Sequence, residues 1–293
     1  MHLPVSAITV HGLCVAVAFL ATGVLCAVRV EAQDPLFSGA QAYERFMGRW
    51  SRDLAPLLVR FAGVRDGETV LDVGSGTGAL AAAVAAAAPS ARITGIDPAE
   101  PYVAFAKTKA PHANVGFEVG DAQQMRFADG AFDRALSLLV VNFIPDAPRA
   151  VREMARVTRP GGTVAAAVWD YGDGMEMLRV FWDAVIALHP ADDRKDERHM
   201  PFSRRGELAE LWRRAGLRDV VEEGLTIETR FASFDDYWTP FTEKQGPAGA
   251  YVASLTDDQR EKLRQRLYQR LIGEGPDRPV VLKARAWAVR GTR

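Results

Sequence analysis

Cysteine is nearly missing from this chain. Of 293 residues only Cys14 and Cys26 are cysteine, both in an apolar N-terminal stretch, and none follows. That excludes a cysteine nucleophile, a Cys-ligated zinc or iron–sulfur site and a disulfide scaffold from the main body. An excess of charge of either sign is missing too. Lys and Arg number 36 against 37 Asp and Glu, so a formal charge of -1 gives no electrostatic reason to expect nucleic acid as a partner. The chain also shows no metal-ligand spacing, internal repeat or low-complexity linker. What remains is an ordinary globular composition, 48% hydrophobic and 25% charged, enough to bury one sizeable core with a modest lid.

The first 28 residues hold no Lys, Arg, Asp or Glu, and residues 12–28 are apolar throughout. A membrane anchor is one reading, although a spanning helix wants about 20 residues. A secretory signal is a second, supported by Val30-Glu31-Ala32 and weakened by an n-region that offers only His2 and His11. The third reading, a leader over residues 1–32 outside the fold, leaves a single domain over 33–293. Membrane contact is then expected only if residues 12–28 are retained.

Beyond Arg29 the pattern becomes charged and periodic. Residues 43–50, followed by Leu54, Leu57, Leu58 and Phe61, read as helix. Short apolar runs at 69–73, 92–96, 115–119, 132–140 and 163–168 alternate with helix-like stretches at 79–88, 102–109 and 147–156, the pattern of a parallel sheet covered on both faces. Pro160-Gly161-Gly162 reads as a turn. Later come a helix over 176–188, a charged loop over 192–199, a helix over 204–215 capped by Ser203 and closed by Gly216, and a strand near 220–227. Residues 228–275 interrupt the sheet pattern. They carry Phe231, Phe234, Tyr237, Trp238 and Phe241, then a helix opened by Thr256 and Gln259 at capping-box spacing. A final strand over 280–289 completes one α/β domain with an inserted lid.

The central signal is Val70-Leu71-Asp72-Val73-Gly74-Ser75-Gly76-Thr77-Gly78-Ala79, a strand running into a glycine loop and a helix. Gly74, Gly76 and Ala79 also fit a dinucleotide fingerprint, so a nicotinamide-dependent oxidoreductase is an alternative. Asp72 discriminates. A carboxylate just before the loop repels a pyrophosphate and suits a ligand with a positive amino group or sulfonium, such as S-adenosylmethionine. Asp97 ends the second strand, where a carboxylate can accept ribose hydroxyls, and Asp121 ends the third, within reach of an adenine amino group. A single aspartate at such a place is usually a turn former; three at successive strand ends border one crevice.

On these motifs the sequence resembles the class I S-adenosylmethionine-dependent methyltransferases, in particular the small-molecule branch of ubiquinone/menaquinone-biosynthesis methyltransferases. The resemblance is specific from about Ala42 to Trp169. It implies a Rossmann-like, seven-stranded, mostly parallel sheet with an antiparallel last strand and an inserted helical and aromatic lid. It implies cofactor contacts from Asp72, Gly74, Ser75, Gly76, Asp97, Pro98, Asp121, Ala122 and Leu138, and a substrate-side helix over 43–50. Ser75 stands where many relatives have Cys, and Asn142-Phe143 where relatives often have His-Trp, so no acid–base role carries over at that pair. Because the cofactor is cytoplasmic, the resemblance also implies a cytoplasmic enzyme, with anchoring through residues 12–28 as the alternative.

The implied function is methyl transfer to an O, N or C atom of a small, hydrophobic or aromatic metabolite, by a monomer or homodimer. A non-catalytic cofactor-binding protein is a further alternative. Where the acceptor needs deprotonation, Asp170, Tyr171, His189 and His199 are candidate bases. Tyr43, Arg49, Trp50 and Trp238, with Phe231, Phe234 and Phe241, are candidates for the acceptor side, each of which could equally be packing. No metal is expected.

Overall fold

The computed structural model describes residues 39–110 and 113–293. The leader, both cysteines and the anchor reading of residues 12–28 lie outside them. Among the described residues no helix is long and apolar enough to cross a membrane.

The chain enters through a short helix α1 (Ala40–Tyr43), one π-helical turn (Glu44–Gly48) and α2 (Arg49–Ala62). In α2, Trp50, Leu54, Leu58 and Ala62 recur at helical spacing and are buried, so this face packs inward. The alternating region follows as β1 (Thr69–Val73), α3 (Ala79–Ala87), β2 (Arg92–Asp97), α4 (Glu100–Lys109), β3 (Val115–Val119), β4 (Phe132–Leu138), α5 (Ala147–Val157) and β5 (Thr158–Trp169). Asp146 accepts from the Arg149 amide to cap α5, and Ala147, Ala150, Val151, Met154 and Val157 form its buried stripe. The second half contributes α6 (Glu176–Leu188), α7 (Glu207–Arg214), β6 (Arg218–Phe231), α8 (Phe234–Trp238), α9 (Gly246–Ser254), α10 (Asp257–Leu271) and β7 (Val280–Thr292).

The seven strands form one sheet in the order β3-β2-β1-β4-β5-β7-β6, with β7 antiparallel to both its neighbours and the other pairings parallel. This is the Rossmann-like arrangement with an antiparallel last strand. Central β5 is buried continuously from Val164 to Trp169, whereas edge strand β6 buries only alternate residues, Leu225, Ile227, Thr229 and Phe231. Strand order reverses between β1 and β4, and the crevice at such a switch point opens at the strands' carboxyl ends.

Several boundaries differ from the sequence expectation. Pro160-Gly161-Gly162 is a bulge inside β5, where the register against β4 jumps from Thr158 to Thr163. Strand β6 runs through Phe231, so the insertion begins at residue 232. Helix α7 starts at Glu207 behind Gly206, and Ser203 does not cap it: its hydroxyl donates to the Met200 carbonyl at 2.8 Å. The capping box at Thr256 and Gln259 is present.

Candidate functional site

The crevice is a cavity of about 600 Å³ at the carboxyl ends of β1, β2, β3 and β4, within the roughly 300–1,000 Å³ usual for small-molecule sites. Its floor is the glycine loop. The amides of Gly74 and Ser75 both donate to the Ile96 carbonyl, at 2.8 and 2.9 Å, and pin the loop against β2. Gly74 has φ +72°, and a Cβ there would lie 2.5 Å from Val140 Cγ1. The loop therefore closes only with glycine at this position.

Asp72 is buried below this loop. Its Oδ2 accepts from the Ala81 amide in the first turn of α3 at 3.1 Å, and its Oδ1 has no hydrogen-bond partner among the described residues. Burial pushes its carboxyl up to about 7, against the opposing effect of that amide. Asp97 accepts from the Gly76 amide at 3.0 Å and the Ala99 amide at 2.9 Å, one on each oxygen. Burial raises its pKa and the two amides oppose the rise. Asp121 accepts from the Gln123 amide at 2.8 Å. All nine residues expected to touch the cofactor, Asp72, Gly74, Ser75, Gly76, Asp97, Pro98, Asp121, Ala122 and Leu138, line this one cavity.

The cover comes from other elements. Tyr43, Phe46 and Met47 reach in from the N-terminal helix, and Glu44 of the same turn accepts from the Thr77 hydroxyl at 2.5 Å, tying helix to glycine loop. Leu139, Phe143, Ile144 and Pro145 add an apolar wall after β4, with Leu139 held at φ +63°. A β-branch-free leucine in the left-handed region marks local backbone strain beside the site. Trp169, Tyr171 and Glu197 close the end opposite β3. The indole N–H of Trp169 and the hydroxyl of Tyr102, both on residues in this lining, have no hydrogen-bond partner among the described residues.

Of the candidate bases, only Tyr171 lines the cavity, and burial, followed by the nearby Glu197 charge, pushes its phenol well above its ordinary range. Asp170 is turned away. Its Oδ2 accepts from Arg285 at 2.8 and 2.5 Å and its Oδ1 from the Asp173 amide at 3.1 Å, which fixes the end of β5 to β7. His199 is exposed beside Asp193, and His189 ends α6; neither is in the lining.

The acceptor-side aromatics are a second correction. Of Tyr43, Arg49, Trp50 and Trp238, the cavity receives Tyr43 alone. Arg49 donates to both oxygens of Asp236 and lies over the rings of Trp50 and Phe231, at 4.3 and 4.8 Å. Trp50 packs edge-on against Phe231, and Trp238 lies beside Phe241. Phe231, Phe234 and Phe241 are wholly buried, with Phe241 stacked on Phe181 at 4.5 Å. The inserted aromatics are thus the interior that props up the cover, and the insertion itself lines the cavity through Gly246.

Glu197 is the residue that sequence reasoning missed. It sits in a run of charges that reads as a solvated loop, yet it is only 4% exposed. Arg179 of α6 pairs with Asp196, Arg198 donates to the same carboxylate, and the Trp182 indole N–H donates to Glu197 Oε2 at 2.8 Å. Together they pull this turn inward. No local pattern announces it, because both anchors come from α6.

Residues 71–166 match the methyltransferase domain family, a span that contains the glycine loop, all three aspartates and β4. This match and the strand order place the chain on the class I S-adenosylmethionine-dependent methyltransferase fold. Over 141 residues the chain is 34% identical to an uncharacterized protein of Mycobacterium tuberculosis, an alignment covering 47% of it and 52% of that protein. It is 38% identical over 109 residues to a ubiquinone/menaquinone biosynthesis C-methyltransferase of Bdellovibrio bacteriovorus, covering 36% and 46%. The chain spans about half the length of these curated relatives. Its fold is similar to that of Haemonchus contortus phosphoethanolamine N-methyltransferase 2 in complex with S-adenosyl-L-methionine, with a TM-score of 0.53 at 20% identity over 87% of this chain and 56% of that one. Among the described residues no group of three or more His, Cys, Asp or Glu is placed to hold a metal ion.

Proposed function

We propose that residues 33–293 are a cytoplasmic enzyme that methylates an O, N or C atom of a small, flat and largely apolar metabolite with S-adenosylmethionine. The observation that carries this reading is the convergence of Asp72, Asp97 and Asp121 from three successive strand ends onto one cavity with the glycine loop. When bound, the cofactor would supply an electrophilic methyl group on a sulfonium.

The residues present fit that group. Asp72 Oδ1 and Ser75 Oγ are buried in the lining with no hydrogen-bond partner among the described residues, an arrangement that is costly unless a ligand satisfies it. Asp72 would face the positive amino group. Each Asp97 oxygen has given one acceptor site to an amide and keeps another for a ribose hydroxyl. Asp121 and Ala122 would lie on the adenine side, with Leu138 passing beneath. Phe46, Met47, Leu139, Phe143 and Ile144 would exclude water and align an apolar acceptor, and alignment in a dry site supplies much of the acceleration of a displacement reaction.

A dinucleotide fits less well, because the buried Asp72 carboxylate already takes an amide at the N-terminus of α3, where a pyrophosphate would need to sit. The similarity to a quinone-biosynthesis C-methyltransferase supports an aromatic acceptor.

Calorimetric titration with S-adenosylhomocysteine tests the reading. Saturable binding is expected, with a loss of about tenfold or more in Asp97→Ala. No heat at millimolar ligand, together with binding of a nicotinamide dinucleotide, would establish the oxidoreductase alternative.

A further inference from the structure

We propose that the carboxylate of Glu197 is the proton acceptor for the methyl-accepting group, and that the acceptor therefore carries a dissociable hydroxyl. This rests on the methyl-transfer reading above and narrows its substrate class.

Geometry comes first. Glu197 belongs to the lining of the cavity at the end opposite β3, while the three aspartates and the glycine loop occupy the other end. Its Oε2 accepts one hydrogen bond, from Trp182 at 2.8 Å, and no hydrogen bond to Oε1 is found among the described residues. A carboxylate on the wall of a largely apolar cavity is best satisfied when an occupant of that cavity donates to it. Around it the lining is apolar, with Trp169 and Tyr171 beside it, so a hydroxyl on an otherwise apolar ring would satisfy the wall. Asp170 and the histidines, which sequence alone offers as bases, are engaged or outside the cavity.

The charged groups around Glu197 also suit the role. Asp196, next in chain, acts against its ionisation; Arg179 of α6 favours it; Tyr171, beyond β5, is neutral at physiological pH because its phenol is pushed up. Burial dominates, and the carboxyl is raised to about 7. A base titrating near the operating pH is the efficient choice for general-base catalysis. In the step itself the acceptor O–H bond breaks, the proton passes to Glu197 Oε1, and the electron pair stays on the oxygen, which becomes the nucleophile. After product leaves, Glu197 returns the proton to water.

The test uses the full chain with 2-naphthol and its methyl ether as probes, by fluorescence titration between pH 5.5 and 8.5. Wild type at pH 8 is expected to bind naphthol about tenfold more tightly than the ether, the gain of a charge-assisted hydrogen bond that the ether cannot donate. The preference should shrink as the pH falls through 7. Glu197→Gln, which keeps a carbonyl to accept from Trp182, should bind both probes alike at every pH. An infrared carboxylic C=O band titrating near pH 7 that loses the Glu197 component in Glu197→Gln, leaving that of Asp72, would assign the group without any ligand. The proposal is overturned if wild type has no preference for naphthol or fails to bind it, or if Glu197→Gln keeps the preference. Failure of S-adenosylhomocysteine to bind would instead remove the cofactor reading, since the naphthol comparison is made without it.

Discussion

Gly74 and Val140 meet across the switch point of the sheet, one just past β1 and the other just past β4, so closely that a Cβ on Gly74 would lie 2.5 Å from Val140 Cγ1. The two strand ends that frame the cavity are therefore packed against each other with no room between them. Gly74→Ala adds that Cβ in a backbone conformation, φ +72°, that alanine disfavours. The expected cost is about 2–4 kcal/mol, combining left-handed strain of ~1 with overpacking of ~1–3. Urea denaturation measures it. The double variant Gly74→Ala, Val140→Ala should recover the overpacking part, and an unchanged midpoint in the single variant would show that the loop tolerates the side chain.

Arg49 and Asp236 join the N-terminal helix to the insertion. Their two hydrogen bonds of 2.9 and 3.1 Å are partly exposed, with side chains 24% and 32% accessible, so solvent screens them. The guanidinium also covers Trp50 and Phe231. Arg49→Ala is expected to lower stability by about 1–2 kcal/mol, chiefly through lost stacking and packing, and to leave S-adenosylhomocysteine affinity within about twofold, because Arg49 is outside the cavity. A large loss of cofactor affinity at unchanged stability would contradict this placement.

Asp72 and Glu197 make stability depend on pH in a defined direction. Both carboxyls are raised to about 7 by burial, from ordinary values of 3.8 and 4.5. Between the unfolded and folded values the native state binds more protons than the unfolded chain, so each group's contribution falls as the pH rises from about 4 to about 7 and is then constant. The difference in unfolding free energy between wild type and Asp72→Asn, or Glu197→Gln, should therefore shift against wild type over that window. A difference flat from pH 4 to 8 would mean that the carboxyl is not raised.

Asp170 holds Arg285, and the pair anchors the end of β5 to β7. Asp170 is buried and Arg285 is 38% accessible, so removing the charge leaves the guanidinium able to turn to water. Asp170→Asn is expected to cost about 1–3 kcal/mol and to leave cofactor affinity unchanged. A collapse of turnover at full stability would return Asp170 to the list of bases.

Much of this was legible in the residues. Alternation of short apolar runs with helical stretches located β1 to β5, because a parallel strand buried on both faces must be apolar throughout. The glycine loop and the carboxylates Asp72, Asp97 and Asp121 were legible because strand ends and their turns are local. Other features were not. The bulge at Pro160-Gly161-Gly162 depends on pairing with β4, and the length of β6 on pairing with β7. Arg49, Trp50 and Trp238 carry the same composition whether they line a pocket or pack behind it, and only their neighbours decide.

By itself, then, the sequence determined the α/β architecture, the glycine loop and the acidic residues at three strand ends, since these follow from side-chain periodicity and from the backbone freedom of glycine. The tertiary structure alone decided the end of the cavity opposite β3. Glu197 became a wall of the cavity because Arg179 and Trp182, 18 and 15 positions earlier in the chain, hold its turn inward, while Asp170 was taken out of it by Arg285, 115 positions later. Burial and ion pairing set what a carboxylate can do, and both are properties of contacts between elements rather than of neighbours in sequence.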